Sequence, residues 1–496
     1  MNHVKRFRRN TWTVACVLLG LGLLPALPRA AQTDISNVPL ATGSASAALP
    51  NLMFILDDSG SMASDYLPDE IRDGGTCKQR TDWDGGTSTG CLYGDPPLFA
   101  PQFNGVYYNP AIRYQPPVMH DGTSMPSMTD PDNVLIDGFD ENSSDIKITD
   151  QYPEIVYCTA SSNNEENSGS YPSNCRRNGY STTATLSTTA TVDFYYPVNT
   201  TSDHGSNGAG VDTYPDATYK YAKTKDGAPH YYLIEPKEHC SDINLTACTL
   251  SATPTGVYTY PAPVRWCKSA TGATNSANAT GAVSGGGGSP PYHCQAKYDG
   301  SHKYPRFGKF TRVNIVPSVT SYAKAAGRTD CAGSSCSYTE ELTNFSNWYA
   351  YYRTRMQMMK SAAGRAFSTL DERYRVGFIT INPGSSSVSA NKYLKLETFV
   401  GSHREAWYEK FYAQSPSGLT PLRQALSRVG RHYAGKTNGI NNGMNDDPIQ
   451  YSCQKNFALL TTDGYWNSSA GEKIDGSSIG NQDNVDSTTD PKWSAR

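Results

Sequence analysis

The sequence predicts an α/β fold: a doubly wound parallel sheet interrupted by a large disulfide-rich, strand-and-loop insertion. Three observations predict it. Short continuous apolar runs, at 51–56, 374–381 and 457–462, have the pattern of strands buried on both faces of a parallel sheet. Stretches of helical period, at 344–370 and 421–433, alternate with those runs. Between residues 63 and 343 the character changes to Gly, Ser, Thr, Asn, Tyr and Pro with no sustained helical period. Composition agrees with a loop-rich exported chain: of 496 residues, 37% are hydrophobic and 18% charged, with 43 Gly, 31 Pro and 33 Tyr.

Taken in order, residues 1–31 have the layout of a secretory signal peptide. Lys5, Arg6, Arg8 and Arg9 precede an apolar run from Val14 to Leu24, and small residues follow at Ala30 and Ala31. The run is about half the ~20 residues a membrane span needs. Its removal takes five basic residues and changes the formal charge from −3 to −8. That balance offers no positive field for a phosphate backbone, so nucleic-acid binding is excluded. No later stretch is apolar enough to span a bilayer, so no stable membrane span is expected after cleavage.

Residues 32–62 form a small polar lead, the first strand Asn51–Leu56, and a sharp polar turn from Asp57 to Met62. The insertion, 63–343, holds ten cysteines: 77, 91, 158, 175, 240, 248, 267, 294, 331 and 336. In an oxidising compartment an even set reads as up to five disulfides. Sequence leaves the connectivity open; pairing of neighbours (77–91, 158–175, 240–248, 267–294, 331–336) is the expectation. Cys453 stands outside the cluster, as a buried free thiol or the partner of something absent. Within the insertion, Tyr231–Ile234 reads as a strand.

The remainder, 344–496, returns to α/β pattern. Trp348, Tyr352, Met356, Met359, Ala363, Phe367 and Leu370 make one apolar face of a single long helix. Strands follow at 374–381 and 393–399, then helices near 403–412 and at 421–433, the latter with Leu422, Ala425, Leu426 and Val429 on one face. The run 457–462 reads as a further buried strand leading into Asp463. With no apolar run after it, the sheet is expected to be incomplete at its carboxyl end, and its fourth strand to present an open edge.

In an open parallel sheet, ligands bind at the carboxyl ends of the strands. Asp57, Ser59 and Ser61 sit there on the first strand, Asp463 on a later one, and Thr420 in the loop opening a helix. Carboxylate and hydroxyl oxygens suit a hard divalent cation: Mg²⁺ first, with Mn²⁺ or Ca²⁺ as alternatives. Hydroxyls do not neutralise such an ion, so it keeps net positive charge and a position for a carboxylate from a partner. No catalytic or other cofactor-binding residue stands out. Gly476-Ser477-Ser478-Ile479-Gly480 fits the hydrolase string Gly-x-Ser-x-Gly, but no apolar strand precedes it.

The Asp-x-Ser-x-Ser loop, the later Thr420 and Asp463 together resemble the von Willebrand factor A (VWA) fold and its metal-ion-dependent adhesion site. The resemblance implies a Rossmann-like sheet, with Asp57, Ser59, Ser61, Thr420 and Asp463 as metal residues and Asp58 in the variable slot. A closer resemblance is to type IV pilus tip-associated adhesins of the PilY/PilC type. It rests on the segments 56–62, Val106-Tyr107-Tyr108-Asn109-Pro110, 460–467 and 480–484. In that family the A domain is interrupted after the metal loop and a β-propeller follows, so this chain reads as a truncated relative. The resemblance implies a non-enzymatic, metal-dependent adhesion module supporting pilus assembly, twitching motility and attachment. It would work with minor pilins or the tip complex and a carboxylate-bearing receptor, in the periplasm or outer membrane, at the cell surface or at the pilus tip. The alternatives are a secreted hydrolase of surface polymers and a structural surface protein with a non-functional metal loop.

Overall fold

The computed structural model describes residues 48–67, 69, 80–82, 87–88, 94, 98–158, 175–177, 191–194, 221–236, 238–245, 247–262, 264–268, 294–296, 301–302, 304–307, 309–464 and 466–479. Every element below belongs to the unit Leu49–Arg496. The expected signal segment 1–31, and Cys77 and Cys91, lie outside the described residues.

The central sheet is built from strands far apart in the chain. They are β1 (Asn51–Leu56), β2 (Arg375–Thr380), β3 (Tyr393–Thr398) and β4 (Asn456–Leu460). Their order is β3-β2-β1-β4. β1 runs parallel to β2, from Asn51 opposite Arg375 to Leu56 opposite Thr380. It also runs parallel to β4, while β3 pairs antiparallel with β2. Four helices accompany the sheet and its neighbours: α1 (Tyr338–Tyr351), α2 (Arg355–Ser368), α3 (Gly401–Tyr412) and α4 (Leu422–Tyr433).

Alternation along β1 decides which helix goes where. Side chains of a strand point to opposite faces in turn. Phe54 and Leu56, with Val376 and Phe378, pack against Phe367 of α2 and Trp407 and Phe411 of α3. Met53 and Ile55, with Ile379, pack against Ala425 and Val429 of α4. Both faces are therefore covered and the sheet is doubly wound, which explains why β1 and β2 read as unbroken apolar runs.

Three expectations about the sheet and its helices are corrected. The single helix over 344–370 is two helices, and the first starts earlier, at Tyr338. Thr354 Oγ1 accepts the Gln357 amide N–H at 3.2 Å, and Gln357 Oε1 accepts the Thr354 N–H at 3.0 Å. That reciprocal cap starts a new helix despite the continuous stripe. The stripe itself serves two cores: Trp348 packs into the insertion, while Met356 and Phe367 pack onto the sheet. Next, β4 is not buried. It lies at the sheet edge, with Phe457 52% and Leu459 44% exposed, because among the described residues it pairs with β1 alone. The open edge is as expected from the sequence; the burial is not. Finally, Leu426 on α4 is half exposed rather than part of the buried face.

The insertion has its own aromatic core, and α1 belongs to it. Phe99, Tyr107, Tyr108, Tyr152, Tyr231 and Tyr232 gather around Phe345 and Trp348. Tyr108 donates its hydroxyl to Glu341 Oε1 at 2.8 Å, and Arg328 Nη1 donates to Glu341 Oε2 at 2.6 Å. Burial pushes the Tyr108 hydroxyl well above its ordinary pKa, so it stays a donor. Strand His230–Glu235, which contains the expected 231–234, pairs antiparallel with Lys309–Asn314. Disulfides join Cys240 to Cys248, Cys267 to Cys294 and Cys331 to Cys336, as the neighbour rule expects. Strand pairing sets Cys158 opposite Cys175. Cys453 is exposed and free, so its reading as a buried thiol falls. Among the described residues, no helix is long and apolar enough to cross a membrane.

Phe54 touches four aromatic rings, those of Phe367, Phe378, Trp407 and Phe411, with centroids 5.0–6.3 Å away. Phe54→Ala should therefore destabilise the sheet unit by about 3–5 kcal/mol, read as a drop in the urea midpoint with the slope unchanged.

Candidate functional site

The turn after β1 forms for a local reason. Asp57 Oδ1 accepts the Ser59 backbone N–H at 2.8 Å, a side-chain turn that ends the strand. A short 3₁₀ turn, Gly60–Ala63, follows, and Met62 plugs it into the sheet core. With two-residue spacing, Ser59 Oγ and Ser61 Oγ then lie 3.1 Å apart.

Long-range pairing brings up the rest. β4 lies beside β1, and the Thr461 N–H donates to Ile55 O at 3.0 Å. That places Asp463 at the turn, where Ser61 Oγ donates to Asp463 Oδ1 at 3.1 Å. The loop holding Thr420 is stitched to the same turn by backbone bonds: Ser417 N–H to Asp58 O at 2.7 Å and Gly60 N–H to Gly418 O at 3.1 Å. Gly418 has φ +85° there, a conformation that favours glycine. Thr420 is 4% exposed, and its backbone is braced in both directions. Its N–H donates to Asn467 Oδ1 at 2.8 Å, and the Asn467 N–H donates to Thr420 O at 3.3 Å. Ser59, Ser61 and Asp463 are thus joined through side chains, Asp57 through the Ser59 backbone, and Thr420 through its loop.

The charges are distributed unevenly. Asp58, fully buried, accepts from Lys392 Nζ at 2.6 Å and from the Asn382 backbone and side chain at 3.0 and 3.1 Å. Its charge is consumed in holding β1 to the loops after β2. Asp463 Oδ2 accepts from Arg355 Nη1 at 2.7 Å; Arg355 also ion-pairs with Asp69 and donates to Tyr66 O at 2.8 Å. Asp57 differs: it is fully buried and, among the described residues, its Oδ2 has no hydrogen-bond partner. A buried, unsatisfied carboxylate oxygen is costly and calls for an explanation such as an ion. Together with the neighbouring hydroxyls of Ser59 and Ser61 and the carboxylate of Asp463, it is a donor set that fits a hard divalent cation. Among the described residues, no group of three or more His, Cys, Asp or Glu is placed to hold a metal.

Sequence reasoning missed Arg355, Asn382, Lys392 and Asn467. Each arrives from a different element, and Asn467 alone among them lies in a segment the resemblance had marked, 460–467. The one signal for Arg355 is its place directly after the Thr354 cap. A cation in the first turn opposes the helix dipole, so it needs another reason to be there. Ser478 of the hydrolase-like string sits in an isolated antiparallel bridge with Glu472, not in a strand–turn–helix. Breaking the Arg355–Asp463 pair strands a carboxylate whose side chain is 8% exposed. Arg355→Ala should then lower stability by about 3 kcal/mol, whereas Asp69→Asn, at a side chain 48% exposed, should cost under about 1 kcal/mol. Paired denaturant titrations of the two variants check this.

No family model matches the chain, and no solved structure matches it. Curated proteins do. The chain is 36% identical over 160 residues to the type IV pilus biogenesis factor PilY1 of Pseudomonas aeruginosa strain PAO1, covering 30% of this chain and 13% of that protein. It is 36% identical over 154 residues to PilY1 of strain PAK, and 37% identical over 133 residues to that of strain UCBPP-PA14. The match takes in 11–13% of the length of these relatives. Across about 30% of its length, the chain is a partial relative of the PilY1 type IV pilus biogenesis factors.

Proposed function

We propose that the chain serves type IV pilus biogenesis as an exported, cation-dependent adhesion module built on a von Willebrand factor A-type sheet. The relationship to PilY1 supports the pilus role. The order β3-β2-β1-β4, with helices on both faces, supports the sheet type. The observation that carries the cation reading is the buried, unpartnered Asp57 Oδ2 beside the Ser59–Ser61–Asp463 chain of hydrogen bonds.

Asp57, Ser59, Ser61, Thr420 and Asp463 would hold the ion, Mg²⁺ by preference. Bound there, it supplies a positive charge that a carboxylate from outside can meet. Arg355 already neutralises Asp463, and Lys392 neutralises Asp58, so Asp57 is the carboxylate left without a cationic partner of its own. One carboxylate does not cancel a divalent charge. The exposed Ser61 marks the side open to a partner. Such chemistry binds and releases rather than turns over, which fits a module that engages minor pilins or the tip complex, and a carboxylate-bearing receptor, at the cell surface or pilus tip.

Mg²⁺ at one hundred times its dissociation constant should stabilise the protein by about 2.7 kcal/mol, read as a rise in Tm. Asp57→Ala should abolish that rise. An equal rise in the variant would sink the cation reading.

A further inference from the structure

Beside the candidate cation site lies a cleft of about 200 Å³, whose lining includes Asn382, Leu419, Gln424, Arg428, Ser468 and Ser469. Its walls are continuous with that site. Asn382 holds Asp58, Leu419 precedes Thr420, and Ser468 follows the Asn467 that braces Thr420. The cleft also takes in Pro421, at the start of the twelve-residue helix α4, where the helix dipole favours negative charge.

The independent observation is Arg428. The residue is 3% exposed, its Nε donates to Ile440 O at 2.8 Å, and among the described residues its Nη1 has no hydrogen-bond partner. The carboxylate whose charge reaches it, Glu472, is itself ion-paired with Arg431 at 3.6 Å. A guanidinium is rarely buried unless paired, and its planar fork matches a carboxylate. Burial draws the Arg428 pKa down to about 10, still far above neutral pH, so the group is charged in use. Gln424, Ser468 and Ser469 add neutral polar groups around it.

We propose that this cleft is a carboxylate-binding pocket, with Arg428 as its anchor, for a second acidic side chain of the partner whose first carboxylate meets the cation. The partner is then an acidic peptide segment rather than a single carboxylate. The proposal rests on the cation reading for the first contact and on Arg428 alone for the second.

The test uses a capped hexa-aspartate peptide as probe, titrated by calorimetry into the wild-type protein and variants, with and without Mg²⁺. Arg428→Gln should weaken peptide binding about tenfold or more while leaving the Mg²⁺-dependent rise in Tm intact. Because a buried arginine can be needed for folding, Gln424→Trp, which fills the cleft while leaving the Arg428 guanidinium and the cation-site side chains in the sequence, should weaken the peptide equally and keep the Mg²⁺-dependent rise in Tm. Residual binding in Asp57→Ala that disappears on adding Gln424→Trp would support the pocket separately from the ion. Wild-type peptide affinity in Gln424→Trp, or no peptide binding by the wild-type protein, would overturn the pocket. Absence of any Mg²⁺ effect on wild-type Tm would instead overturn the cation reading.

Discussion

Parallel pairing of β1 with β2 on one side and β4 on the other is the constraint on which the rest depends. Residue 51 faces residue 375 across one ladder and residue 456 across the other. Such separations look expensive, yet closing a longer flexible loop costs only about 0.6 kcal/mol per doubling. What offsets it is the burial of Met53, Phe54, Ile55 and Leu56, each fully enclosed between helices. The same pairing carries three loops to one end of the sheet. The site exists because the strand is central.

The insertion does not hang off this core as a passive loop. Its aromatic cluster is completed by α1, whose Trp348 indole N–H donates to Val106 O at 2.9 Å. The buried Arg328–Glu341 pair, tied to Tyr108, fixes the insertion's own segments against that helix. Such a pair adds little net stability but penalises alternatives that leave either charge alone. Contacts then run outward to the sheet unit, as where the Tyr412 hydroxyl donates to Val118 O at 2.7 Å. The break between α1 and α2 follows from this division of labour, since one straight helix would serve one core only.

At the site, the arrangement of charge matters more than the count of acids. Asp57, Asp58 and Asp463 all sit at the sheet end, but Lys392 and Arg355 each take one of them. The remaining carboxylate has one oxygen committed to a backbone N–H and one oxygen free of partners. The result is a site of low negative charge, bordered by Arg428 and a helix start. With a divalent cation bound there, as proposed, the site would suit an acidic partner.

The sequence by itself determined the elements with strong local signals. β1 was legible to the residue because a strand covered on both faces reads as a near-continuous apolar run, here Leu52 to Leu56 after a hydrogen-bonded Asn51. The helices at 401–412 and 422–433, the strand at 230–235 and three cysteine pairs were legible for similar reasons: periodicity, Pro and Asn punctuation, and spacing. The Asp-x-Ser-x-Ser turn was legible because its hydrogen bond is local. Only the tertiary structure decided that the side chains of β4 are exposed rather than buried, that one apolar stripe is split between two cores, and that Arg355, Lys392 and Asn467 complete the site's surroundings. Those outcomes depend on which distant surfaces meet, and no short-range pattern encodes a meeting between residues hundreds of positions apart.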